Sequence, residues 1–420
     1  MQENQPSMAF YSSYQEALDW LFVQMPNYQI DGKKAYKPGL ENITKLCDFF
    51  GNPQEKIKTI HIGGTNGKGS TSNMLASILQ ESGYKIGIYN SPHLIDFTER
   101  IKINGENCDK EFVYDFIQKL KNLPDEILPS FFEFTTIMAF EYFYQKKVDF
   151  AIIEVGLGGR LDSTNIITPL VSAITNVQLD HQDILGETLQ EIAAEKSGII
   201  KENVPIISGD ENKAVKKIIS EKTSEVQCEF IDATLIKTNL KTDLKGNYQQ
   251  KNLRVVLALV AELQKLGLKI SEENIQTGLL NVHKNTNFIG RWFQFSKEPL
   301  IVCDTAHNQA GLDMVFNQLN EIPKTKHIIL GFVQEKKIDE VLEILPQSEK
   351  YYFVKPRINR GRHPKDYEDL LKKSGIQYKI FDEVQLGYLS AIQNIENGEM
   401  IFVGGSNFVV GEFLEKNLQK

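Results

Sequence analysis

Apolar positions along this chain gather into short runs separated by stretches of helical spacing. Strand candidates lie at 57–62, 85–90, 149–155, 170–175 and 204–208. They recur at 299–304, 326–331, 350–354, 377–381 and 400–403. Several of them are unbroken apolar runs rather than alternating ones, as suits strands covered on both faces. Between them the spacing changes. Met74, Leu75, Ile78 and Leu79 predict a helix over 69–82 closed by Gly83, and a second helix over 187–197 is closed by Gly198. Strand and helix alternating nearly throughout predict an α/β fold built on mostly parallel sheets.

Two stretches break the alternation. Residues 225–250 are polar and rich in Lys, Thr and Asp, and read as a loop or β-ribbon excursion. Residues 283–289 (His-Lys-Asn-Thr-Asn-Phe-Ile) precede a new α/β series and predict a division into two units, 1–288 and 289–420. The first unit holds a phosphate loop on its sheet, and the second is a smaller Rossmann-like α/β domain. The length of 420 residues is enough for two or three domains.

Composition narrows the setting. With 41% hydrophobic and 24% charged residues the chain is an ordinary soluble one, and its formal charge of −8 offers no basic footprint for nucleic acid. Cys47, Cys108, Cys228 and Cys303 are scattered without metal-ligand spacing and read as reduced thiols of a cytoplasmic protein. The N-terminus is polar and shows no signal peptide. The most apolar window, Phe131 to Tyr144, contains Glu133 and Glu141 and is too short to span a bilayer. No membrane partner is expected.

The candidate chemistry begins at residues 61–71, His-Ile-Gly-Gly-Thr-Asn-Gly-Lys-Gly-Ser-Thr. A predicted strand runs into a glycine-rich turn and then a helix N-terminus, the context that lets main-chain N–H groups and the helix dipole hold a phosphate. Lys68 adds a cation and Ser70 a hydroxyl. The usual first glycine of such loops is replaced here by Ile62.

Other polar groups stand at predicted strand ends, where ligands collect in open α/β sheets. Glu154 ends 149–155 and precedes Gly-Leu-Gly-Gly-Arg-Leu-Asp-Ser-Thr-Asn (156–165). Beside a phosphate loop it suits Mg²⁺; by itself it is equally an acidic strand end capped by solvent. Asn176, Asp180 and His181 follow 170–175, and Ser91 follows 85–90. A lone histidine is more often structural, but its place near the loop also allows a ligand role. Lys196 reads as a cation at a helix C-terminus. Asp304, Thr305, Ala306, His307 and Asn308 end a strand of the second series, as a nucleotide-facing edge or as a helix N-cap. Arg291 is suited to phosphate.

Taken together these pieces resemble the folylpolyglutamate synthase/dihydrofolate synthase family, relatives of the Mur ligases. The matching segments are 64–70, Ser-Pro-His-Leu (91–94), Thr-Glu-Arg (98–100), Phe-Phe-Glu-Phe-Thr-Thr (131–136), 154–165 and Leu-Asp-His (179–181). Leu-Gly-Glu-Thr (185–188), Glu-Lys-Ser-Gly-Ile (195–199), Gly-Arg (290–291) and Asp-Thr-Ala-His-Asn (304–308) follow in family order. The resemblance implies that Thr65, Asn66, Gly67, Lys68, Gly69, Ser70 and Asn252 hold ATP, with Arg291, Asp304 and His307 reaching it from the second unit. It implies Mg²⁺, two ions in all, on Ser91, Glu154 and His181, and a CO₂ adduct on Lys196 that turns this cation into an anionic metal ligand. Lys68, His181 and Lys196 form the implied catalytic set. Ser130, Phe131, Phe132 and Glu133, with Leu161, Asp162 and Ser163, line an implied pteroate pocket, and Tyr36, Lys37 and Pro38 fall in an implied substrate loop. Thr305 and Ser197 depart from the family's glycine and alanine.

The implied enzyme is a monomeric ATP-dependent amide ligase. It joins L-glutamate to dihydropteroate, to folates or to both through an acyl phosphate, with a monovalent-cation requirement left open. Two rivals share parts of this pattern: a Mur-type ligase acting on a UDP-linked peptidoglycan precursor, and an ATP-binding scaffold without turnover. The Phe-Phe-Glu-Phe and Gly-Leu-Gly-Gly-Arg-Leu-Asp segments favour the folate reading, and Lys68, Glu154, His181 and Lys196 together argue against the scaffold.

Overall fold

The computed structural model describes residues 13–25 and 39–418, and Tyr36 to Pro38 lie outside the described residues. Two sheets organise the chain. The first is eight-stranded in the order β4-β3-β2-β5-β1-β6-β7-β8. Its strands are β1 (Thr59–Gly63), β2 (Ile86–Tyr89), β3 (Ile101–Ile103), β4 (Glu106–Asn107), β5 (Phe150–Glu154), β6 (Val171–Ile174), β7 (Ile206–Ser208) and β8 (Phe230–Asp232). The hairpin pairs β2–β3 and β3–β4 are antiparallel, and the rest are parallel. The second sheet is six-stranded, β13-β12-β11-β14-β10-β9. Its strands are β9 (Phe293–Lys297), β10 (Leu300–Cys303), β11 (Lys326–Leu330), β12 (Lys350–Val354), β13 (Gln377–Phe381) and β14 (Met400–Gly404). Only β9 is antiparallel to its neighbour.

Each apolar run forms a strand, and the central ones are buried at every position. The alternation does not reveal β3, β4, β8 and β9. β4, β8 and β9 lie at sheet edges, where short or half-solvated strands carry little apolar signal, and β3 is a three-residue strand just inside β4. In place of a ribbon, residues 225–250 supply β8, a parallel edge strand, and a 3₁₀ turn at Ala233–Leu235. The polar stretch after 282 begins as a helical turn, Val282–Thr286, whose end is tied down where Lys102 Nζ donates to Thr286 O at 3.2 Å and Asn287 O at 3.1 Å.

The predicted helices form at Lys68–Glu81 and Leu189–Ser197. Gly83 takes the left-handed conformation expected of a helix-closing glycine, with φ +85°. Gly198 does not: its φ is −64°. Glycine is needed there because a Cβ would collide with the Arg160 Cβ and backbone. The apolar window is the helix Phe131–Gln145, opened by a Ser130/Glu133 capping box and buried against the first sheet unit. Among the described residues no helix is long and apolar enough to cross a membrane.

Candidate active site

β1 lies at the centre of the first sheet and delivers the chain into the 63–67 turn. Gly67 stands at the N-cap of Lys68–Glu81 with φ +87°, and a Cβ there would collide with Asn252 Oδ1. The turn is laced to the end of β6. Thr65 N donates to Asn176 O at 2.9 Å, Asn66 N to Asn176 Oδ1 at 2.9 Å, and Asn66 Nδ2 to Gln178 Oε1 at 2.6 Å. On its other side Gln249 Nε2 donates to Ser70 Oγ at 3.1 Å, and Asn252 Nδ2 donates to Gln249 Oε1 at 2.8 Å. Lys68 Nζ donates to the loop carbonyls of Gly64 (3.0 Å) and Thr65 (3.2 Å).

Neighbouring strand ends bring charge to this turn. Glu154, at the end of β5, is 5% exposed; a Cβ on Gly69 would sit 3.7 Å from its Oε2. It accepts Asn90 Nδ2 at 2.6 Å and the main-chain N–H of Ser91. Burial pushes the Glu154 carboxyl up, opposed by the Lys68 ammonium, the Asn90 amide and Arg291. Burial likewise pushes Lys68 down, while Glu154 and Asp180 support its charge.

Past β6, His181 takes a left-handed φ of +49° at the start of the turn Gln182–Leu185. Burial pushes its imidazole down; Asp180 opposes this, and the charges of Lys196, Lys68 and Lys336 add to it. Lys196 is 4% exposed in the last turn of its helix. Burial, reinforced by Lys68, lowers its amine to about 7. The 156–165 loop rests on the same helix end: Arg160 N donates to Glu195 O at 2.8 Å, and a Cβ on Gly159 would stand 2.9 Å from Lys196 O.

The second sheet unit closes over the turn. Asn66 and Asn308 exchange side-chain amide bonds at 3.2 Å, and Asn308 Nδ2 donates to Asp180 Oδ2 at 2.9 Å. His307 Nε2 is 3.9 Å from Asp180 Oδ2, and burial lowers its imidazole to about 4. Burial pushes the Asp180 carboxyl up, but His181, His307, Lys336 and Asn308 outweigh it and hold it below the usual carboxylate range. The Arg291 charge acts on both Lys68 and Glu154. Asp304, 1% exposed, accepts Trp292 N at 2.7 Å, Ala306 N at 2.8 Å and the Tyr248 hydroxyl at 2.5 Å. Its carboxylate therefore ties Tyr248 of the first unit to the second, and Asn308 is the helix cap the sequence left open.

Among the described residues no three His, Cys, Asp or Glu side chains form a ready metal cluster. The four expected ligands stand as two pairs, Ser91 with Glu154 and His181 with Lys196, and the Lys68 charge is felt by Glu154, His181 and Lys196. A buried carboxylate whose charge is disfavoured fits an oxygen-seeking cation. The acceptor-side residues divide. Ser130 and Glu133 cap each other, with Ser130 N donating to Glu133 Oε2 at 2.6 Å. Phe131 packs inside an aromatic cluster, 5.2 Å from Phe22 and 6.0 Å from Phe97. Phe132 lies against Gly156, in the loop that carries Leu161, Asp162 and Ser163. Asn90, Gln178, Tyr248, Gln249 and Lys336 were not singled out by sequence. Lys336 sits in the run Glu-Lys-Lys (335–337), which reads as solvated.

Residues 62–226 match the Mur ligase middle domain, and residues 290–407 match the Mur ligase glutamate ligase domain. A Bacillus subtilis protein named dihydrofolate synthase/folylpolyglutamate synthase is 30% identical over 97% of this chain and 99% of its own length. The chain belongs to the dihydrofolate synthase/folylpolyglutamate synthase family. A Haloferax volcanii relative, named "Probable bifunctional folylpolyglutamate synthase/dihydropteroate synthase", is 30% identical over 95% of the chain, which spans 50% of that protein's length. The solved structure of Escherichia coli FolC in complex with DHPP and ADP is similar with a TM-score of 0.85 at 26% identity, over 98% of this chain and 99% of that one. Of the two departures from the family pattern, Ser197 is absorbed within its helix, where its Oγ donates to Ala193 O at 2.7 Å; Thr305 N donates to Gly290 O at 2.9 Å, a main-chain bond independent of the side chain.

Proposed function

We propose that this chain is an ATP-dependent ligase that joins L-glutamate to dihydropteroate and to folate glutamates, working as a cytoplasmic monomer of two units divided near residue 288. The acceptor carboxylate attacks the γ-phosphorus of ATP, the bond to the β–γ bridging oxygen breaks, and ADP leaves. The amine of glutamate then attacks the acyl carbonyl, phosphate departs, and the amine gives up a proton as the amide forms. No protein nucleophile is required.

The surroundings of each residue support the part the resemblance implies for it. The main-chain N–H groups of the 64–70 turn and the Lys68 ammonium hold phosphate oxygens, and Arg291 adds charge from the other unit. Ser91, Glu154 and His181 would hold Mg²⁺, which supplies charge neutralisation on the phosphates when bound. The Lys196 amine, lowered to about 7, is about half uncharged at neutral pH and so able to take up CO₂ and lose a proton; the resulting carbamate would hold a second Mg²⁺. Phe132 and the 161–163 segment flank the acceptor. Asn252, Asp304 and His307 frame the nucleotide, with Asp304 acting through Tyr248 and Trp292.

The observation that carries this reading is the convergence on Lys68 of Glu154, Asp180, Lys196 and, from the second unit, Arg291. ADP release is measured with ATP, Mg²⁺ and glutamate, with dihydropteroate and with a reduced folate monoglutamate in parallel. Glutamate-dependent ADP release with both acceptors is expected. Release at background with each acceptor refutes the ligase.

A further inference from the structure

The centre of β1 carries a histidine that the chemistry above does not use. His61 is fully buried between Ile60 and Ile62, in a strand covered on both faces. Burial, helped by the Lys201 charge, lowers its imidazole to about 3, so it is neutral at every working pH. Among the described residues its Nδ1 has no hydrogen-bond partner. An orphaned buried acceptor costs about 1–3 kcal/mol, and isoleucine would fit the pattern of the strand.

Its other nitrogen shows what offsets that cost. His61 Nε2 lies 2.8 Å from Thr164 Oγ1, and Thr164 Oγ1 donates to Asp162 Oδ1 at 2.5 Å. Asp162 Oδ1 also accepts Thr164 N at 3.0 Å, and Oδ2 accepts Leu157 N at 2.8 Å. Burial pushes this carboxyl up, but the Thr164 hydroxyl and the main-chain N–H groups of Leu157, Thr164 and Gly156 favour its ionised form, which acts as acceptor only. The Thr164 proton must therefore point to Asp162, and the Thr164 oxygen must accept from His61. That fixes His61 as the Nε2–H tautomer and leaves Nδ1 as the orphan.

Asp162 in turn closes the 156–162 loop on itself. One side of that loop touches the Phe132 ring at Gly156, and the other rests on the Lys196 backbone at Gly159. We propose that His61 is a positioning residue: its Nε2–H, relayed through Thr164 to Asp162, holds the loop that sets the acceptor pocket against Lys196. The loop half of this stands on geometry alone; the acceptor half rests on the ligase reading above.

The test uses Thr164→Val, which removes the hydroxyl and keeps the shape, with Thr164→Ser as the conservative partner and His61→Gln as a second break. Hydrogen exchange reads the relay without reference to activity. Amides of 156–165 are expected to exchange at least tenfold faster in Thr164→Val and His61→Gln, with the 68–81 helix unchanged and Thr164→Ser restoring protection. Steady-state turnover is then expected to show the KM for dihydropteroate raised about tenfold and the KM for ATP unmoved. Unchanged loop exchange overturns the relay. Faster loop exchange with an unmoved dihydropteroate KM overturns the acceptor role alone. Failure of the wild type to turn over dihydropteroate counts against the ligase reading and leaves the exchange result standing. If His61→Gln does not fold, a protected Nε2–H resonance of His61 in the intact protein decides the tautomer, and a protonated Nδ1 refutes it.

Discussion

Lys196 shows how far a residue's meaning depends on its surroundings. In sequence it is a helix-terminal cation, a common arrangement needing no further role. Folded, it is buried beside a second lysine, and these two effects outweigh the support of Asp180 and Asp162, so its charge is disfavoured. We expect Lys196→Ala to lower kcat by about 10²-fold or more, the scale of losing one electrostatic group at a reacting centre. Wild-type activity is expected to fall in CO₂-stripped buffer and to recover with bicarbonate, whereas the variant does not respond. A variant with full kcat removes the carbamate. Asp304 teaches a further lesson. Its place at a strand end suggested a nucleotide-facing residue, and in the fold it also holds its own surroundings together, accepting from Trp292, Ala306 and Tyr248. Ser130 and Glu133 are likewise occupied with each other. A carboxylate's partners are contributed by chain segments far away in sequence, and spacing alone does not record them.

At the scale of elements, the strand–turn–helix around Lys68 was legible because its signals are local: an apolar run, glycines, then a 3.6-residue period. Gly67 is required by its own backbone angle and by Asn252 lying against it. Gly67→Ala is expected to cost about 1–3 kcal/mol through left-handed strain, with the displaced Asn252 adding to it. Thermal melting checks this, and the shift in melting temperature on adding ATP should also shrink. An equal ATP-induced shift would mean the turn does not bind phosphate. The edge strands were illegible for a physical reason. β8 and β9 bury one side or less, so their sequence looks like loop. Gly198 was found at the right place for the wrong cause, since close approach to Arg160, not handedness, excludes a Cβ there.

At the scale of the whole molecule, the two sheet units meet through apolar packing of Leu94, Ile95 and Tyr248 and through specific polar contacts, Asn247 with Gln318 and Tyr248 with Asp304 among them. Tyr248→Phe leaves the buried Asp304 carboxylate short of one donor and is expected to cost about 1–3 kcal/mol. Calorimetry should show a lower transition, with KM for ATP raised because the second unit is less firmly seated; unchanged melting and KM would make the bond incidental. A separate network lies at the opposite end of the second sheet. Burial pushes the Glu399 carboxyl up, but Glu396 N, His327 and Lys350 outweigh it and bring it to about 2. A depressed carboxyl stabilises fully above its ordinary pKa near 4.3, and this is lost as pH falls toward 2. Glu399→Gln is therefore expected to melt below wild type at pH 7, with the gap closing between pH 4.5 and 2.5. A constant gap would assign the loss to packing. The chain by itself determined what local pattern encodes: two α/β series, the phosphate turn, and the strand ends from which polar groups project. It could not determine which of those groups face one another. That depends on strand order, β5 and β6 flanking β1, and on a second unit arriving over the turn, because pairing in space joins residues that no sequence period connects.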